Sequence, residues 1–574
     1  MTASSRDEQV PSISTRRAAW LPLLVDVYGE PGAQSIAGEV VELLDMHRRP
    51  ERKPTADRWT ERDVWLITYP DQFQQPGTPP LRALHAFLHG HLRGLCNGVH
   101  ILPFFPSSSD EGFSILDYTA VDSSYGDWTD IEAIALHWRL MVDAVVNHCS
   151  AGSEWFAAWR ADDPAFRNLF RTADPNADLS AVVRAREHPL LTRYATARGD
   201  EWVWTTFSPD QVDLDFRNPL VLVRVLEVIL SYAAHGADVI RLDAIGFIWK
   251  EETAASIHLP QTHRIIQFLR ACLDDAYPEV VVITETNVPH EENISYFGDS
   301  DQPEAHAVYQ FPLPPLTLHA FSHGDATVLG GWLRALETPV PDTTFLNFLA
   351  SHDGVGLRPL EGLVGDADVA ALVTQTETNG GSVNRRTTDN GISVPYELNA
   401  TWFDLIRGPT AGEAALNRHL ASYAIMLALR GIPAIYVHSL LGSENDTEAV
   451  AADGQARSIN RRRFTDLDAL EQLLGDPTTR EARSLAGIGD LVRWRTSSSA
   501  FHPDADQSIL ATPASVLGIS RRHHSGAAAR VYVNVAEDPV TIEDPGGYSV
   551  RGHNFELLPD GVRLGPWGNV WIFS

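Results

Sequence analysis

VVVITE, residues Val280–Glu285, is an apolar run that ends on a carboxylate. Three other runs end on polar side chains in the same way; they are Trp138–His148 (WRLMVDAVVNH), Ala237–Asp243 (ADVIRLD) and Thr343–Asp353 (TTFLNFLASHD). Parallel strands that are buried on both faces are near-continuous apolar runs. The carboxyl ends of the strands in a (β/α)8 barrel meet at one mouth. The pattern therefore predicts a parallel barrel whose mouth carries acidic and histidine side chains.

Eight apolar segments of this kind alternate with amphipathic helical patterns. The predicted strands are Val64–Pro70, Gly98–Phe105, Trp138–Val146, Ala237–Asp243, Val280–Thr286, Ala307–Pro312, Thr343–Asp353 and Pro433–Ser439. The clearest predicted helices between them are Pro219–His235, Gln261–Ala276 and Glu413–Arg430. Eight strands with intervening helices is the number that a closed barrel requires. We therefore predict an α/β fold, a (β/α)8 TIM barrel.

Regions outside the eight strands predict additional units. A connection at residues 361–405 contains GGSVNRRTTDNGISVPYELN, whose Gly, Asn and Pro content predicts a long mobile loop over the seventh strand. Short β-like pieces near the end of the chain are Ala529–Val535, Tyr548–Phe555 and Asn569–Phe573. The predicted units are an N-terminal extension packed on the barrel (1–60, with a helix near Gln34–His47), the barrel (61–490) with an inserted subdomain after the third strand (149–207), and a small C-terminal all-β domain (491–574).

Composition restricts the partners of the chain. Its formal net charge of −30 argues against nucleic acid and anionic membranes, whether that charge reflects a salty milieu or solubility alone. The first residues, MTASSRDEQVPSISTRRAAW, lack the apolar segment of a secretory signal, and no run approaches the ~20 apolar residues of a membrane span. Three scattered cysteines predict no disulfide framework. We expect a reduced, cytoplasmic protein.

The carboxylates at the predicted mouth indicate sugar chemistry. In retaining glycoside cleavage one carboxylate attacks the anomeric carbon and a second, about 5–5.5 Å away, protonates the leaving oxygen. Arg241 lies two residues before Asp243 on the same strand face and can hold it ionised, although such a pair alone is equally typical of a structural salt bridge. Glu285 ends an apolar strand, where desolvation raises a carboxyl pKa as a general acid requires. His352–Asp353 and Asn147–His148 add donors and acceptors for sugar hydroxyls.

The chain resembles a known family over roughly Val64 to Phe464. DAVVNH, IRLDAIGF, ITET and LASHDG look like the four signature regions of the α-amylase superfamily. LITYPDQF, NGVHILPFFPSSSDEGFSILDY, FSPDQVDLD and GQARSINRRRF are more similar still to its sucrose-phosphorylase subgroup. In that subgroup a covalent β-glucosyl-enzyme is intercepted by phosphate, which gives α-glucose 1-phosphate.

The resemblance implies a role for each matching residue. It makes Asp243 the nucleophile, Glu285 the acid/base and Asp353 the stabiliser of the transition state. The residues implied to bind the glucosyl unit are His148, Arg241 and His352 at its reacting end, Asp110 and Arg457 at its far end, and Phe113 as its stacking platform. Gln211 and Tyr396 are implied to line the entrance. We expect no cofactor and no metal, because the inserted region shows no cluster of oxygen ligands at the spacing of a calcium loop.

Basic residues suggest an anionic acceptor. Two long segments expected to overhang the mouth carry Arg184, Arg186, His188, Arg385 and Arg386. Guanidinium groups suit phosphate or carboxylate, and inorganic phosphate would use some of these cations in any case. The sequence motifs of the chain resemble those of relatives that act on anionic glucosides. These relatives are the phosphorylases of sucrose 6-phosphate (phosphate on fructose) and of glucosylglycerate. We predict sucrose 6-phosphate, with Arg186 first among the phosphate-binding residues.

Alternatives to this function differ in reaction or in class. Glucosylglycerate and plain sucrose are the alternative substrates, and a hydrolase or isomerising transferase on the same barrel is an alternative reaction. A catalytically silent carbohydrate-binding barrel would lack the nucleophile, whereas all three carboxylates are present here. The expected partners are a small-molecule glucoside and inorganic phosphate, acting on a monomer or homodimer.

Overall fold

Strands and helices alternate along most of the chain. A computed structural model describes residues 13–48, 58–184, 186, 188–336, 340–387, 392–543 and 549–574. Its strands are β1 Trp65–Thr68, β2 Gly98–Ile101, β3 Arg139–Ala144, β4 His148–Ser150, β5 Leu191–Thr196, β6 Gly199–Trp204, β7 Gln211–Asp213, β8 Ala237–Leu242, β9 Val281–Thr284, β10 Ala307–Tyr309, β11 Thr344–Asn347, β12 Val355–Gly356, β13 Ser382–Thr387, β14 Ser393–Asn399, β15 Ile432–Tyr436, β16 Asp506–Ile509, β17 Val516–Arg522, β18 Ala528–Asn534, β19 Val540–Glu543, β20 Ser549–Leu558 and β21 Gly561–Phe573. Its α-helices are α1 Ile13–His47, α2 Pro80–Phe87, α3 Trp128–Ala135, α4 Glu154–Arg160, α5 Pro219–Ala234, α6 Pro260–Ala276, α7 His290–Ile294, α8 Leu313–His323, α9 Thr327–Ala335, α10 Asp366–Thr378, α11 Trp402–Arg407, α12 Gly412–Ala428, α13 Val437–Leu440, α14 Thr447–Asp453, α15 Leu467–Gly475 and α16 Arg480–Thr496.

Eight parallel strands close the predicted barrel. Their order around it is β1-β15-β11-β10-β9-β8-β3-β2. Seven lie within a predicted segment and β15 starts one residue before its own, so the TIM-barrel prediction is confirmed. Strands such as β1 and β9 are buried at every position, which explains their continuous apolar sequence. Gly98 pairs with Trp65 across β1 and β2, and a Cβ at Gly98 would lie 2.4 Å from the indole ring. Close packing inside the barrel therefore requires glycine there.

The carboxyl ends of three barrel strands deliver the acidic residues to one mouth. Asp243 directly follows β8, and Glu285 directly follows β9. Asp353 comes six residues after the end of β11, on the connection that leads into β12. The register of β8 and β9 pairs Leu242 with Thr284, so the two carboxylates leave their strands side by side.

The helix α1 is longer than the predicted helix and packs on the outside of the barrel. Gly29, with φ of 68°, separates its two helical pieces. Trp20 is only 1% exposed and lies edge-on against Phe268 of α6, with ring centroids 6.1 Å apart. The predicted boundary of an N-terminal unit at residue 60 stays a prediction, because residues 1–12 and 49–57 lie outside the described chain.

The segment predicted as a mobile loop, residues 361–405, is largely ordered. It contains the helix α10 and an antiparallel hairpin, in which β13 pairs with β14 from Ser382↔Asn399 to Thr387↔Ser393. The strand β12 adds to β14, so this three-stranded sheet covers part of the mouth. The prediction of a loop was wrong because Asn384 and Asn399, which suggested it, are paired within the hairpin strands, so cross-strand pairing overrides their preference for loops.

A C-terminal antiparallel sheet follows the barrel, as predicted. Its strand order is β16-β17-β18-β21-β19, with β20 paired to β21. The helix α16 continues to Thr496, so the first strand of this sheet begins only at Asp506. The β4–β7 and β5–β6 pairs lie in and beside the predicted insert, but the unit boundaries at 149–207 and 491–574 remain predictions. None of the described helices is long and apolar enough to cross a membrane.

The packing of α1 predicts a large effect of truncating Trp20. Trp20→Ala should lower the free energy of unfolding by about 3–5 kcal/mol, since it removes a buried aromatic ring from the contact with α6. Met46→Ala, in the same helix at 66% exposure, should change it by less than about 0.5 kcal/mol. Denaturant titration of both variants checks this. Equal effects of the two substitutions would show that α1 contributes nothing specific to the folded barrel.

Candidate active site

A cavity of about 250 Å³ opens at the carboxyl ends of the barrel strands. Its size suits a disaccharide-sized ligand rather than a polymer. The side chains that line it are Asp110, Phe113, His148, Val183, Arg184, Arg186, Phe207, Gln211, Asp243, Ala244, Phe247, Ile257, Glu285, Thr286, Asn287, Val288, His352, Asp353, Arg358, Arg386, Tyr396, Glu397 and Arg457. The three predicted catalytic carboxylates are therefore together in one cavity.

Asp243 is held by a buried arginine. Arg241 Nη1 lies 2.7 Å from Asp243 Oδ1 and also bonds Asp143, which His100 Nε2 contacts at 2.7 Å. Burial raises the pKa of Asp243, and the Arg241 cation opposes that rise without cancelling it. Arg241 therefore favours the ionised form of Asp243, as predicted, but does not bring its pKa back to the ordinary value. Asp143, which the sequence analysis missed, accepts from the same nitrogen, Nη1.

Glu285 faces the same arginine from further away. Arg241 Nη2 lies 3.7 Å from Glu285 Oε2, and the backbone N–H of Ala244 donates to that oxygen at 3.1 Å. The pKa of Glu285 is raised to about 7. Burial raises it most, Arg241 opposes the rise, and the neighbouring carboxylates Asp243 and Asp353 add to it. When Asp243 and Glu285 share one proton, Glu285 is the better site for it, because the cation lies closer to Asp243.

Asp353 has the opposite environment. Its Oδ1 lies 2.5 Å from Arg457 Nη1 and 3.8 Å from Arg461 Nη2. Burial works against its ionisation, but the surrounding charge, chiefly that of Arg457, holds the pKa of Asp353 well below its usual range. Glu397 Oε1 orients Arg457 from the other side at 2.7 Å. Asp353 is therefore a permanent negative charge in the cavity.

Aromatic and histidine side chains form the rest of the floor. The rings of Phe113 and His352 stack with centroids 4.7 Å apart. Burial lowers the pKa of His352 to about 3, so this ring is neutral. His148 Nε2 donates to the carbonyl of Phe113 at 2.9 Å, which makes Nδ1 its bare nitrogen when the ring is neutral. Gln211 Nε2 donates to Asp110 Oδ2 at 3.2 Å.

The basic residues predicted at the mouth are only partly brought together. Arg184, Arg186 and Arg386 line the cavity, whereas Arg385 and His188 do not. Successive side chains of a strand point to opposite faces, so Arg385 points away from the cavity when Arg386 faces it. His188 instead uses its backbone carbonyl to accept a hydrogen bond from Arg184.

The net positive charge at the mouth is smaller than the sequence predicted. Arg386 donates to Glu361 at 3.0 Å, which compensates its charge. Arg358, which the sequence analysis missed, lines the cavity and lies 3.8 Å from Glu292. Arg186 is half-buried, and its guanidinium lies 5.9 Å above the ring of Phe207.

Several residues in or behind the cavity were not predicted. Asp143 lies in the same DAVVNH stretch as His148, and alternation along β3 would have placed it on the inner face. Glu397 follows the predicted Tyr396 but is distant in sequence from its partner Arg457. Asn287 and Arg358 carry no local signal, since neither ends an apolar strand. Only the fold brings them to the cavity.

The different environments of the three carboxyl groups determine the chemistry that the cavity supports. Glu285 has a pKa near neutrality, Asp243 contacts the buried cation Arg241, and Asp353 stays ionised. Carboxyl groups whose pKa values differ in this way are typical of acid/base catalysis on glycosides.

Comparisons with known proteins agree with this geometry. Residues 92–354 match the family of the alpha-amylase catalytic domain. The chain is 46% identical over 551 residues to the glucosylglycerate phosphorylase of Allomeiothermus silvanus, covering 96% of this chain and 97% of that protein. It is 40% identical over 555 residues to the glucosylglycerate phosphorylase of Escherichia coli, covering 96% and 98%.

Solved structures show the same fold. The crystal structure of sucrose 6F-phosphate phosphorylase from Thermoanaerobacter thermosaccharolyticum aligns with a TM-score of 0.73 at 23% identity, covering 84% of this chain and 96% of that one. The signature motifs, the barrel and the extent of the sequence similarity lead to one assignment. The chain belongs to the α-amylase family, within its sucrose-phosphorylase subgroup of glucosyl phosphorylases.

Proposed function

We propose that this protein is a retaining phosphorylase that cleaves glucosylglycerate with inorganic phosphate to α-glucose 1-phosphate and glycerate. The observation that carries the proposal is the 46% identity, over 96% of the chain, to a protein of that name. The cavity supports the reaction type, because it pairs a neutral-pH acid with a cation-bound carboxylate. The sequence analysis preferred sucrose 6-phosphate; that preference is not confirmed, and its alternative is the better supported substrate.

In the first proposed step, ionised Asp243 attacks the anomeric carbon of the glucosyl unit. Protonated Glu285 donates its proton to the departing glycerate oxygen, so the glycosidic bond breaks as the ester to Asp243 forms. Arg241 holds the attacking carboxylate, and the backbone N–H of Ala244 holds Glu285. The charge of Asp353 stabilises the positive charge that develops on the sugar ring.

In the second proposed step, a phosphate oxygen attacks the anomeric carbon of the β-glucosyl-enzyme. The ester to Asp243 breaks, and Glu285, now ionised, accepts the proton that the phosphate loses. The two inversions at the anomeric carbon return the α configuration in the product. Phe113, His148, His352, Asp110 and Arg457 line the cavity where the predicted glucosyl contacts would form.

The acceptor side of the cavity suits a monoanion. Two of the five predicted basic residues lie outside the cavity, and Arg386 is compensated by Glu361. A carboxylate such as that of glycerate needs fewer cations than a dianionic phosphate ester. We assign Arg186 to the glycerate carboxylate, because it lines the cavity and its guanidinium lies over Phe207, whose ring lines the same cavity.

The remaining expectations about partners stay proposals. Small-molecule glucoside and inorganic phosphate are the proposed substrates. A cytoplasmic location, a monomeric or homodimeric state, and the absence of nucleic-acid and membrane partners are predicted from composition alone.

The assignment of Glu285 predicts a leaving-group-dependent defect. Glu285→Gln should lower kcat/KM for glucosylglycerate by about 10²–10⁴-fold, since the departing oxygen then lacks a proton donor. The loss should be much smaller with α-glucosyl fluoride, whose leaving group needs no proton. In the unsubstituted enzyme, kcat/KM for glucosylglycerate should fall as pH rises through about 7, because Glu285 loses its proton, and this limb should be absent with the fluoride. Equal losses with both substrates would refute the role of Glu285 as the acid.

The acceptor assignment predicts a charge-dependent defect at Arg186. A charge-assisted hydrogen bond contributes about 1.5–3 kcal/mol, so Arg186→Ala should lower kcat/KM for glucosylglycerate roughly ten- to more than a hundredfold at saturating phosphate. Glucosylglycerol, which lacks the carboxylate, should show little change. Arg193→Ala, an exposed arginine on the β5–β6 hairpin, is the matched control and should leave both substrates unaffected.

Two results would contradict this acceptor assignment. Equal losses on glucosylglycerate and glucosylglycerol would mean that Arg186 serves inorganic phosphate or the fold. A preference of the unsubstituted enzyme for sucrose 6-phosphate over glucosylglycerate would overturn the proposed substrate and restore the one predicted from sequence.

A further inference from the structure

We propose that His319, His323 and Asp368 form a binding site for a divalent transition metal ion of the Zn²⁺ type, on the outer side of the barrel. The two histidines lie one turn apart on α8, and Asp368 lies in the first turn of α10. One ligand atom from each side chain falls in a group whose members are all within 4.8 Å of one another. None of these residues lines the active-site cavity, so the proposal is independent of the proposed function.

The distances fit an ion better than direct hydrogen bonds. His319 Nε2 lies 3.8 Å and His323 Nε2 lies 3.4 Å from the same oxygen, Asp368 Oδ1. Hydrogen bonds between such groups are about 2.7–3.2 Å long. Zinc bonds of about 2.0–2.2 Å arranged as a tetrahedron separate neighbouring ligand atoms by about 3.4 Å. Both distances to Asp368 Oδ1 are therefore close to the spacing of ligands around one ion.

The tautomer of His323 points to a cation in the same place. His323 Nδ1 lies 3.0 Å from the backbone carbonyl of His319, and a carbonyl can only accept, so Nδ1 carries a proton. In the neutral ring, Nε2 then presents its lone pair to the Asp368 carboxylate, which repels it. A metal ion between them turns this repulsion into two bonds. A histidine whose other nitrogen donates to a backbone carbonyl is the usual arrangement around metal-bound imidazole.

The neighbourhood favours a bound ion in two further ways. The rings of His319 and His323 are stacked with centroids 4.2 Å apart, and His319 is only 6% exposed, so its imidazole is fixed in place beside His323. Asp325 adds a nearby negative charge, but its Oδ1 already accepts from the backbone N–H of Thr327 at 2.7 Å.

The ligand set selects the class of metal. Two imidazole nitrogens and one carboxylate oxygen suit Zn²⁺ and its neighbours in the first transition row, whereas Ca²⁺ and Mg²⁺ prefer oxygen ligands only. His323 is exposed, so the site opens to solvent and water can supply a fourth ligand. The sequence analysis expected no metal because the inserted region shows no cluster of oxygen ligands, and that observation does not bear on these two histidines of α8.

A bound ion would link the barrel to the segment that covers part of the mouth, which consists of α10 and the β13–β14 hairpin. The helix α8 follows barrel strand β10, whereas α10 leads into the hairpin that carries Arg386 and Tyr396. The cross-link would hold the start of that segment against the barrel wall. Its expected role is structural, at a distance from the reacting groups.

Metal titration of the untagged full chain tests this site. After treatment with a chelator and dialysis, isothermal titration with Zn²⁺ should show one tight site per chain. Asp368→Asn and His323→Ala should each weaken that site at least tenfold, because each removes one of three protein ligands. Asp366→Asn is the matched control: it removes the same charge from the same exposed helix end and should leave the affinity unchanged.

Two further readouts separate ligation from a general effect on folding. Co²⁺ in place of Zn²⁺ should give the intense visible bands of a four-coordinate ion, and these should disappear in Asp368→Asn. Zn²⁺ should raise the thermal midpoint of the unsubstituted chain and of Asp366→Asn but not that of Asp368→Asn. Absence of a tight Zn²⁺ site in the unsubstituted chain, or equal affinities of Asp366→Asn and Asp368→Asn, would overturn the proposal. If zinc binding is lost in His89→Ala instead, the ion binds at the separate cluster of His85, His89 and His137, and the proposal is wrong.

Discussion

One buried cation, Arg241, organises the acidic mouth of this barrel. It bonds Asp143 and Asp243 and lies 3.7 Å from Glu285, so a single guanidinium faces three carboxylates. These charges raise the pKa of Arg241 well above its ordinary value in spite of its burial, which by itself would lower it. Without this cation Asp143 and Asp243 could not both stay ionised in a buried site. The unequal distances to Asp243 and Glu285 then separate the nucleophile from the acid.

A second arginine, Arg457, also lies between carboxylates that line the cavity, and here the cation outweighs the effect of burial. Arg457 lies between Asp353 and Glu397, close to both, and Asp353 stays ionised. Arg457 comes from the segment after β15, and Glu397 comes from the hairpin strand β14. The hairpin is therefore coupled to the reacting centre through one ion pair. Changes in the position of that hairpin would alter both the acceptor contacts and the charge that faces the sugar ring.

Sequence reasoning predicted the barrel and the catalytic carboxylates for a common reason. Both depend on apolar strands that end on polar residues, and this signal is local: β8 ends before Asp243, and β9 ends before Glu285. The acceptor site has no such signal. Arg358 and Asn287 reach the cavity only because the loops fold over the mouth, and Arg385 is excluded by the alternation of a strand that the composition suggested was a loop. The sequence also gives no sign that Glu361 compensates the charge of Arg386, since the two residues lie 25 positions apart.

The account rests on a covalent glucosyl ester at Asp243, and mass spectrometry of a trapped intermediate tests it most directly. The Glu285→Gln variant would be incubated with α-glucosyl fluoride in the absence of phosphate, digested and sequenced. The account predicts a peptide heavier by one glucosyl residue, with the added mass on Asp243, and loss of that mass on addition of azide, an anion that needs no general base, with release of α-glucosyl azide. A glucosyl group on another residue, or turnover of the fluoride with no covalent adduct at all, would contradict the assignment of Asp243.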